Sequence, residues 1–147
     1  MLISKTIEID MGHRVPNHKS KCRSLHGHRY KIEVAVDGYV VEERGSSDEG
    51  MVIDFGDLKE IMMDVIDKKY DHSFTMHEGD AFLDFFKTLA EREGQKINFV
   101  PFVPTAENLA EHWFQELRLP LQHKGIDIQC VQVYETPTSV AMYHEQN

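Results

Sequence analysis

The chain has 147 residues, 41% of them hydrophobic, and a formal net charge of −9. This length and apolar content fit one domain with a buried core over residues 1–147. The negative charge argues against general nucleic-acid binding, and no apolar run approaches the roughly 18 residues of a membrane span. The chain opens on a strand pattern rather than a signal peptide, and its two cysteines do not indicate a disulfide framework. We therefore expect a cytoplasmic protein with reduced thiols.

Alternating polar and apolar residues predict the first two strands, over residues 2–12 and about 26–41. Every second residue of a strand belongs to the same face. The apolar face of the first strand ends at His13, and that of the second begins at His26 and His28. Because both apolar faces turn toward the core, we expect these three imidazoles to meet at one point.

Three neutral imidazoles with a fourth position open are typical of catalytic zinc. A single histidine on an apolar face is more often a hydrogen-bonded core residue, and His-Gly-His by itself is a weak metal motif. The third histidine, in phase on the neighbouring strand, favours the metal site. Cys22 lies four residues before His26, in a loop with Lys19, Lys21 and Arg23. Electropositive surroundings favour thiolates, so Cys22 is a candidate base or nucleophile rather than an inert buried cysteine.

A basic stretch surrounds these residues. Residues 11–32 contain no Asp or Glu, and their basic side chains are Arg14, Lys19, Lys21, Arg23, Arg29 and Lys31. An acid-free basic stretch beside a metal site suits an anionic small substrate such as a phosphate ester. From this stretch, Lys21 and Arg23 are the candidates for binding the anion. A solvated loop is the alternative for any one of these residues.

Strand and helix patterns continue downstream. Asp57 and Thr105 are good helix N-caps. In chain order we predict a strand at 51–55, helices from Asp57 and at 80–93, an extended segment at 97–102, a helix from Thr105, and strands at about 126–134 and 140–143. Hairpin-linked strands with helices on one face indicate an antiparallel α+β domain rather than a parallel βαβ fold.

Six motifs occur in this order along the chain: His13-Arg14, Cys22-x3-His26-Gly27-His28, Gly50 to Phe55, Asp71-His72, Pro104 to Asn108 and Glu135-Thr136. Together they resemble the 6-pyruvoyl-tetrahydropterin synthase family. The resemblance covers most of residues 3–143. The three-residue gap between Cys22 and His26 is similar to that of the bacterial branch, 6-carboxytetrahydropterin synthase of queuosine biosynthesis, whereas the animal pyruvoyl enzymes have a longer gap.

The resemblance implies the tunnelling fold, which is a four-stranded antiparallel sheet with helices packed on one face. Subunits of that fold join their sheets into a barrel, typically in hexamers, with active sites between subunits. Two departures from the family pattern stand out. Ser73 to Met76 replace a Leu-Asn pair that usually follows Asp71-His72, and residues 77–100 form a longer segment that we interpret as an insertion with an extra helix.

The resemblance also implies roles for these motifs. The implied zinc ligands are three histidines: His13, His26 and His28. Cys22 corresponds to the proton-abstracting cysteine, and Asp71 and His72 correspond to its relay partners. Glu135 corresponds to the glutamate that anchors the pterin ring and takes part in the relay. A polar turn after a helix is the alternative for Asp71 and His72, and a solvated strand end is the alternative for Glu135.

Thr105 and Glu107 lie where the family's pterin pocket is bordered, although helix capping explains them equally well. The implied activity is a zinc-dependent lyase of queuosine biosynthesis. It converts 7,8-dihydroneopterin triphosphate to 6-carboxy-5,6,7,8-tetrahydropterin and releases acetaldehyde and triphosphate. Two alternatives stay open: the 6-pyruvoyl product by triphosphate elimination, or a non-catalytic pterin- or zinc-binding module. The complete set of Cys22, Asp71, His72 and Glu135 argues against the module. The expected partners are a small pterin and further copies of the chain, not nucleic acid or a membrane.

Overall fold

The pairing of the first two strands organises the fold. The structure is a computed structural model that describes residues 1–145. Strands β1 (Leu2–His13) and β2 (His26–Asp37) pair antiparallel along their whole length, with Leu2 opposite Asp37 and His13 opposite His26. The predicted convergence of the two apolar faces at the histidine end of this pair is therefore present.

The complete sheet has six strands in the order β4-β3-β1-β2-β5-β6. The four added strands are β3 (Ser73–His77), β4 (Ile97–Val100), β5 (Asp127–Thr136) and β6 (Ser139–Tyr143). β3 runs parallel to β1, and β4 runs parallel to β3, whereas the other pairs are antiparallel. The expectation of a four-stranded antiparallel sheet is wrong, because helical crossovers before β3 and before β4 permit parallel pairing.

Two helical segments cover the face of the sheet that carries His13. Helix α1 (Phe55–Met62) continues through a π-helical turn (Met63–Asp67) and a final α-helical turn (Lys68–Tyr70). Helix α3 (Ala106–Gln122) lies beside it and contacts β5. The fully buried side chains between the helices and the sheet include Tyr30, Ile32, Leu58, Met62, Trp113 and Leu117.

A third helix, α2 (Leu83–Glu93), packs on the opposite face. Its Phe86 stacks on Phe74 of β3, with 4.9 Å between ring centroids. A Cβ on Gly12 would lie 2.6 Å from the Phe74 ring. Since Gly12 alternates with His13 along β1, Phe74 and α2 lie on the face away from the histidines. The predicted helix exists, but the expectation that all helices pack on one face is wrong.

Some predicted boundaries also differ. Residues 51–55 do not form a strand. Met51 closes a loop by accepting a hydrogen bond of 2.8 Å from the Val41 amide, and the chain turns into α1 at Phe55. Asp54 rather than Asp57 caps α1, accepting from the Gly56 amide. Thr105 caps α3 as predicted. Within residues 1–145, no helix combines the length and apolarity needed to cross a bilayer.

Candidate metal and catalytic site

Three histidine side chains meet at one end of the β1–β2 pair, and we call them the histidine cluster: His13, His26 and His28. One ring nitrogen from each lies within 4.8 Å of the others. The Nε2 atoms of His13 and His26 are 3.1 Å apart. The strand pairing produces this arrangement, since His13 lies opposite His26 and His28 follows two residues later on the same face.

Backbone carbonyls orient two of these rings. His13 Nδ1 lies 2.7 Å from the carbonyl oxygen of Pro104, and His26 Nδ1 lies 2.8 Å from that of Ser24. A carbonyl only accepts, so each Nδ1 carries the proton and each Nε2 presents a lone pair. His28 Nε2 is buried and has no hydrogen-bond partner among residues 1–145. The cluster therefore presents lone pairs to one point without a protein donor to satisfy them.

These properties fit a zinc ion. Zinc–nitrogen bonds of about 2.0–2.1 Å in a tetrahedron place ligand nitrogens about 3.3 Å apart, and the His13 and His26 Nε2 atoms are 3.1 Å apart. Burial lowers the pKa of His13 and of His28, although the Glu135 carboxylate opposes the shift. Both rings are therefore neutral near pH 7, which is the form that binds a metal. Hydrogen bonds to the second nitrogen, as at His13 and His26, are usual for metal-bound histidines.

Glu135 faces the cluster from β5. Its carboxylate oxygens lie 3.9 Å from His13 Nε2 and 3.7 Å from His28 Nε2. Tyr30 supports the other side, with its hydroxyl 3.2 Å from His13 Nδ1. Burial, with smaller contributions from the charges of Glu135 and Cys22, raises the Tyr30 pKa, so the hydroxyl stays neutral. Glu135 is thus the one carboxylate that contacts the cluster within residues 1–145.

A cavity of about 250 Å³ opens beside the cluster. The residues predicted from the sequence that line it are His13, Cys22, Thr105, Glu107 and Glu135. Other lining residues, among them His18 and Ser139, were not singled out from the sequence. His18 lies in the acid-free basic stretch, and this position is the sequence feature that could have indicated it as a cavity residue. The cavity brings the residues Cys22 and Glu135 together with one imidazole of the histidine cluster.

Cys22 belongs to a single 3₁₀ turn, Lys21–Arg23, and is half-buried. Its carbonyl oxygen accepts a hydrogen bond of 2.9 Å from the Val15 amide. Lys21 and Arg23 are exposed, do not line the cavity and form no ion pair within residues 1–145. The structure therefore places Cys22 at the cavity and leaves its basic neighbours in solvent, outside the cavity lining.

The basic stretch divides into two groups. Arg14 is buried in an ion pair with Asp80, and Arg29 pairs with Glu8 and Asp10. Lys31 lies over the Tyr134 ring. The basic side chains with neither an acidic nor an aromatic partner among the described residues are Lys19, Lys21 and Arg23. These three are the ones left free of such contacts for an anionic ligand.

Asp71 and His72 do not reach the cavity. Asp71 Oδ1 accepts from the Asp10 amide at 2.9 Å, and Oδ2 lies 2.7 Å from His72 Nδ1. Burial raises the pKa of Asp71, but these hydrogen bonds and the nearby charges of His72 and Lys96 outweigh it, so the pKa is lowered overall. The His72 side chain is 78% exposed. Within one chain, the pair lies at the start of β3, apart from Cys22 and Glu135.

The comparisons with known proteins agree with this geometry. A family model described as "6-pyruvoyl tetrahydropterin synthase" matches residues 2–146. The chain belongs to this family. Relatives named 6-carboxy-5,6,7,8-tetrahydropterin synthase are similar to it over nearly their whole length. The Haemophilus influenzae protein is 36% identical over 143 residues, covering 97% of this chain and 98% of the relative. The Aquifex aeolicus protein is 34% identical over 164 aligned positions, covering 98% of each.

Solved structures show the same family fold. An uncharacterised protein from Wolinella succinogenes has a TM-score of 0.77 and 26% identity, covering 99% of this chain and 98% of that one. The 6-pyruvoyl tetrahydropterin synthase of Caenorhabditis elegans has a TM-score of 0.67 and 25% identity, covering 99% and 96%. This chain is thus a member of the pterin synthase enzyme family with an α+β fold.

Proposed function

We propose that this chain is a zinc-dependent 6-carboxytetrahydropterin synthase. It converts 7,8-dihydroneopterin triphosphate to 6-carboxy-5,6,7,8-tetrahydropterin and releases acetaldehyde and triphosphate. The observation that carries the proposal is a single cavity bordered by Cys22, Glu135 and His13 of the histidine cluster. The names of the relatives and the short gap between Cys22 and His26 support the carboxy product and a place in queuosine biosynthesis.

Different residues of the chain bind the pterin ring and the phosphates of the substrate. A carboxylate such as that of Glu135 accepts two hydrogen bonds from the donor edge of a pterin ring. Thr105 and Glu107 border the same cavity at the start of α3. The exposed cations Lys21 and Arg23 flank the Cys22 turn, where they attract the triphosphate. The ring is thus held inside the cavity and the phosphates outside it.

Cys22 holds the central place in the chemistry. As thiolate it accepts a proton from the side chain of the substrate, a role worth roughly 10²–10⁴-fold in rate. A zinc ion bound by the histidine cluster supplies Lewis-acid chemistry, polarising and orienting the hydroxyl groups of the substrate side chain. The two carbonyl-bonded rings, His13 and His26, keep the lone pairs aimed at that ion.

Asp71 and His72 require a second copy of the chain for this role. In one chain His72 is exposed and Asp71 is half-buried, and the Asp71 carboxylate keeps the proton on Nδ1 of His72, which leaves Nε2 available. We propose a homo-oligomer, a hexamer by family resemblance, in which this pair completes the site of a neighbouring copy as the proton relay. The two free cysteines, Cys22 and Cys130, accord with a reducing cytoplasm.

Product analysis tests the proposal. The purified protein is incubated with 7,8-dihydroneopterin triphosphate, and the products are identified by mass spectrometry. We expect 6-carboxytetrahydropterin with one acetaldehyde for each product molecule. The 6-pyruvoyl product without acetaldehyde contradicts the carboxy assignment and supports triphosphate elimination. Pterin binding without turnover contradicts the enzyme and supports a binding module.

A further inference from the structure

Two hydrogen bonds close the neck of the loop that carries Cys22. The Val15 amide donates to the Cys22 carbonyl at 2.9 Å, and Arg14 Nη1 donates to the Arg23 carbonyl at 3.2 Å. Both donors directly follow the end of β1. The neck therefore ties the Cys22 turn to the strand that ends in the histidine cluster.

Arg14 is itself held from outside this loop. Its guanidinium Nε donates to Asp80 Oδ2 at 2.6 Å, and the other Asp80 oxygen accepts from the Phe82 amide at 2.8 Å. The Phe82 ring lies 4.2 Å from Arg14 Cζ. Arg14 and Asp80 are only 6% and 5% exposed, so each charge depends on the other. Asp80 and Phe82 belong to the longer segment 77–100.

We propose that Arg14 and Asp80 are positioning residues for Cys22. Through this ion pair, segment 77–100 fixes the position of the thiol. The inference rests on the proposed role of Cys22 as the base. A single 3₁₀ turn has little stability of its own. The bond from Arg14 to the Arg23 carbonyl is therefore a main restraint on the turn, and Asp80 orients Arg14 for it. A mutation far from the reacting atoms that displaces a catalytic group by about 1 Å lowers the rate by up to about 10²-fold.

Two variants test separately the Arg14–Asp80 ion pair and the hydrogen bond from Arg14 to the Arg23 carbonyl. Asp80→Asn removes the charge while it keeps the size of the side chain. Arg14→Lys keeps a cation for Asp80 but loses the fork that also reaches the Arg23 carbonyl. Glu78→Gln is the matched control, because Glu78 is an exposed acid two residues from Asp80 with no ion pair among residues 1–145.

The experiment measures kcat and KM with dihydroneopterin triphosphate, zinc content, and amide hydrogen exchange across residues 14–25. We expect Asp80→Asn and Arg14→Lys to lower kcat roughly 10–100-fold with KM changed less than about threefold. Zinc content stays at the wild-type value, and exchange rises in residues 14–25 but not in the paired strands. Glu78→Gln leaves all four measurements at wild-type values.

Wild-type kcat and wild-type exchange in both variants overturn the proposal. A fall in kcat that only follows lost zinc or lost folded protein also overturns it, because that result shows a general structural role. If the wild-type protein does not turn over the substrate, the proposed function fails, and exchange in residues 14–25 decides the positioning by itself. If Asp80→Asn does not fold, Arg14→Lys carries the same measurements.

Discussion

Among the described residues, two groups of side chains bring possible metal-ligand atoms together, and they differ in what those atoms already contact. The groups are His13, His26 and His28 at one end of the β1–β2 pair, and Asp10, Asp71 and His72 at the start of β3. In the first group, the Nε2 atom of His28 is buried and has no hydrogen-bond partner in the part of the chain that the structure describes. In the second, both Asp71 oxygens are hydrogen-bonded, and the Asp10 carboxylate pairs with Arg29.

This difference assigns different chemistry to the two groups. Short distances between ligand atoms occur in both, so distance alone does not identify a metal site. Unmatched, buried lone pairs favour a cation in the histidine cluster. An exposed histidine held by an ionised carboxylate, as in Asp71–His72, is suited to proton transfer instead.

The two groups of side chains should differ most in their effect on zinc content. His26→Ala removes one of only three protein ligands, so zinc should fall from about one ion per chain to near zero, with loss of turnover. His72→Ala, the matched histidine of the second group, should keep about one zinc per chain. Elemental analysis of the purified variants measures both. Full zinc in a triple His13, His26 and His28 alanine variant contradicts the site.

Cys22→Ala separates catalysis from metal binding. Turnover should fall roughly 10²–10⁴-fold because the positioned base is lost, while zinc content and pterin affinity stay unchanged. Cys130→Ala, the other free cysteine, should keep wild-type turnover. The measurement is kcat beside zinc content in one preparation. Zinc lost in proportion to activity means that Cys22 is a ligand, and full activity means that it takes no part.

His72→Ala should lower turnover about 10²-fold, because a proton relay is removed, without loss of zinc. If the pair acts on a neighbouring copy, mixing the His72→Ala and Cys22→Ala proteins should restore activity. About one quarter of random pairings then combine an intact Cys22 with an intact His72. Activity of the reassembled mixture is compared with that of each variant alone. No recovery in mixed oligomers contradicts the shared site.

The unpaired basic residues give the smallest effect. Neutralising Lys19, Lys21 and Arg23 together should raise KM for the triphosphate substrate about tenfold, since exposed ion pairs are individually weak. KM for a dephosphorylated analogue should change much less. Arg29→Gln is the control, because its guanidinium already pairs with acidic side chains on β1. Equal effects on both substrates show that these residues do not bind phosphate.

Local features of this fold follow from sequence patterns. Alternation predicted the faces of β1 and β2, and with them the meeting of His13, His26 and His28, because side-chain direction along a strand follows from its period of two. The Thr105 cap was predicted from its residue type and its place before an apolar stripe. The motif set indicated the family, which the family model confirms.

Strand order, the placement of α2 and the partner of Arg14 depend instead on long-range contacts. Parallel pairing of β3 and β4, and α2 on the far face through Phe86 and Phe74, depend on contacts between distant segments. The same holds for Arg14, which the sequence placed in the acid-free basic stretch and the fold buries against Asp80. Periodicity reports which way a side chain points within its own element. Long-range packing decides which residue that side chain contacts, and a local sequence pattern holds no information about such packing.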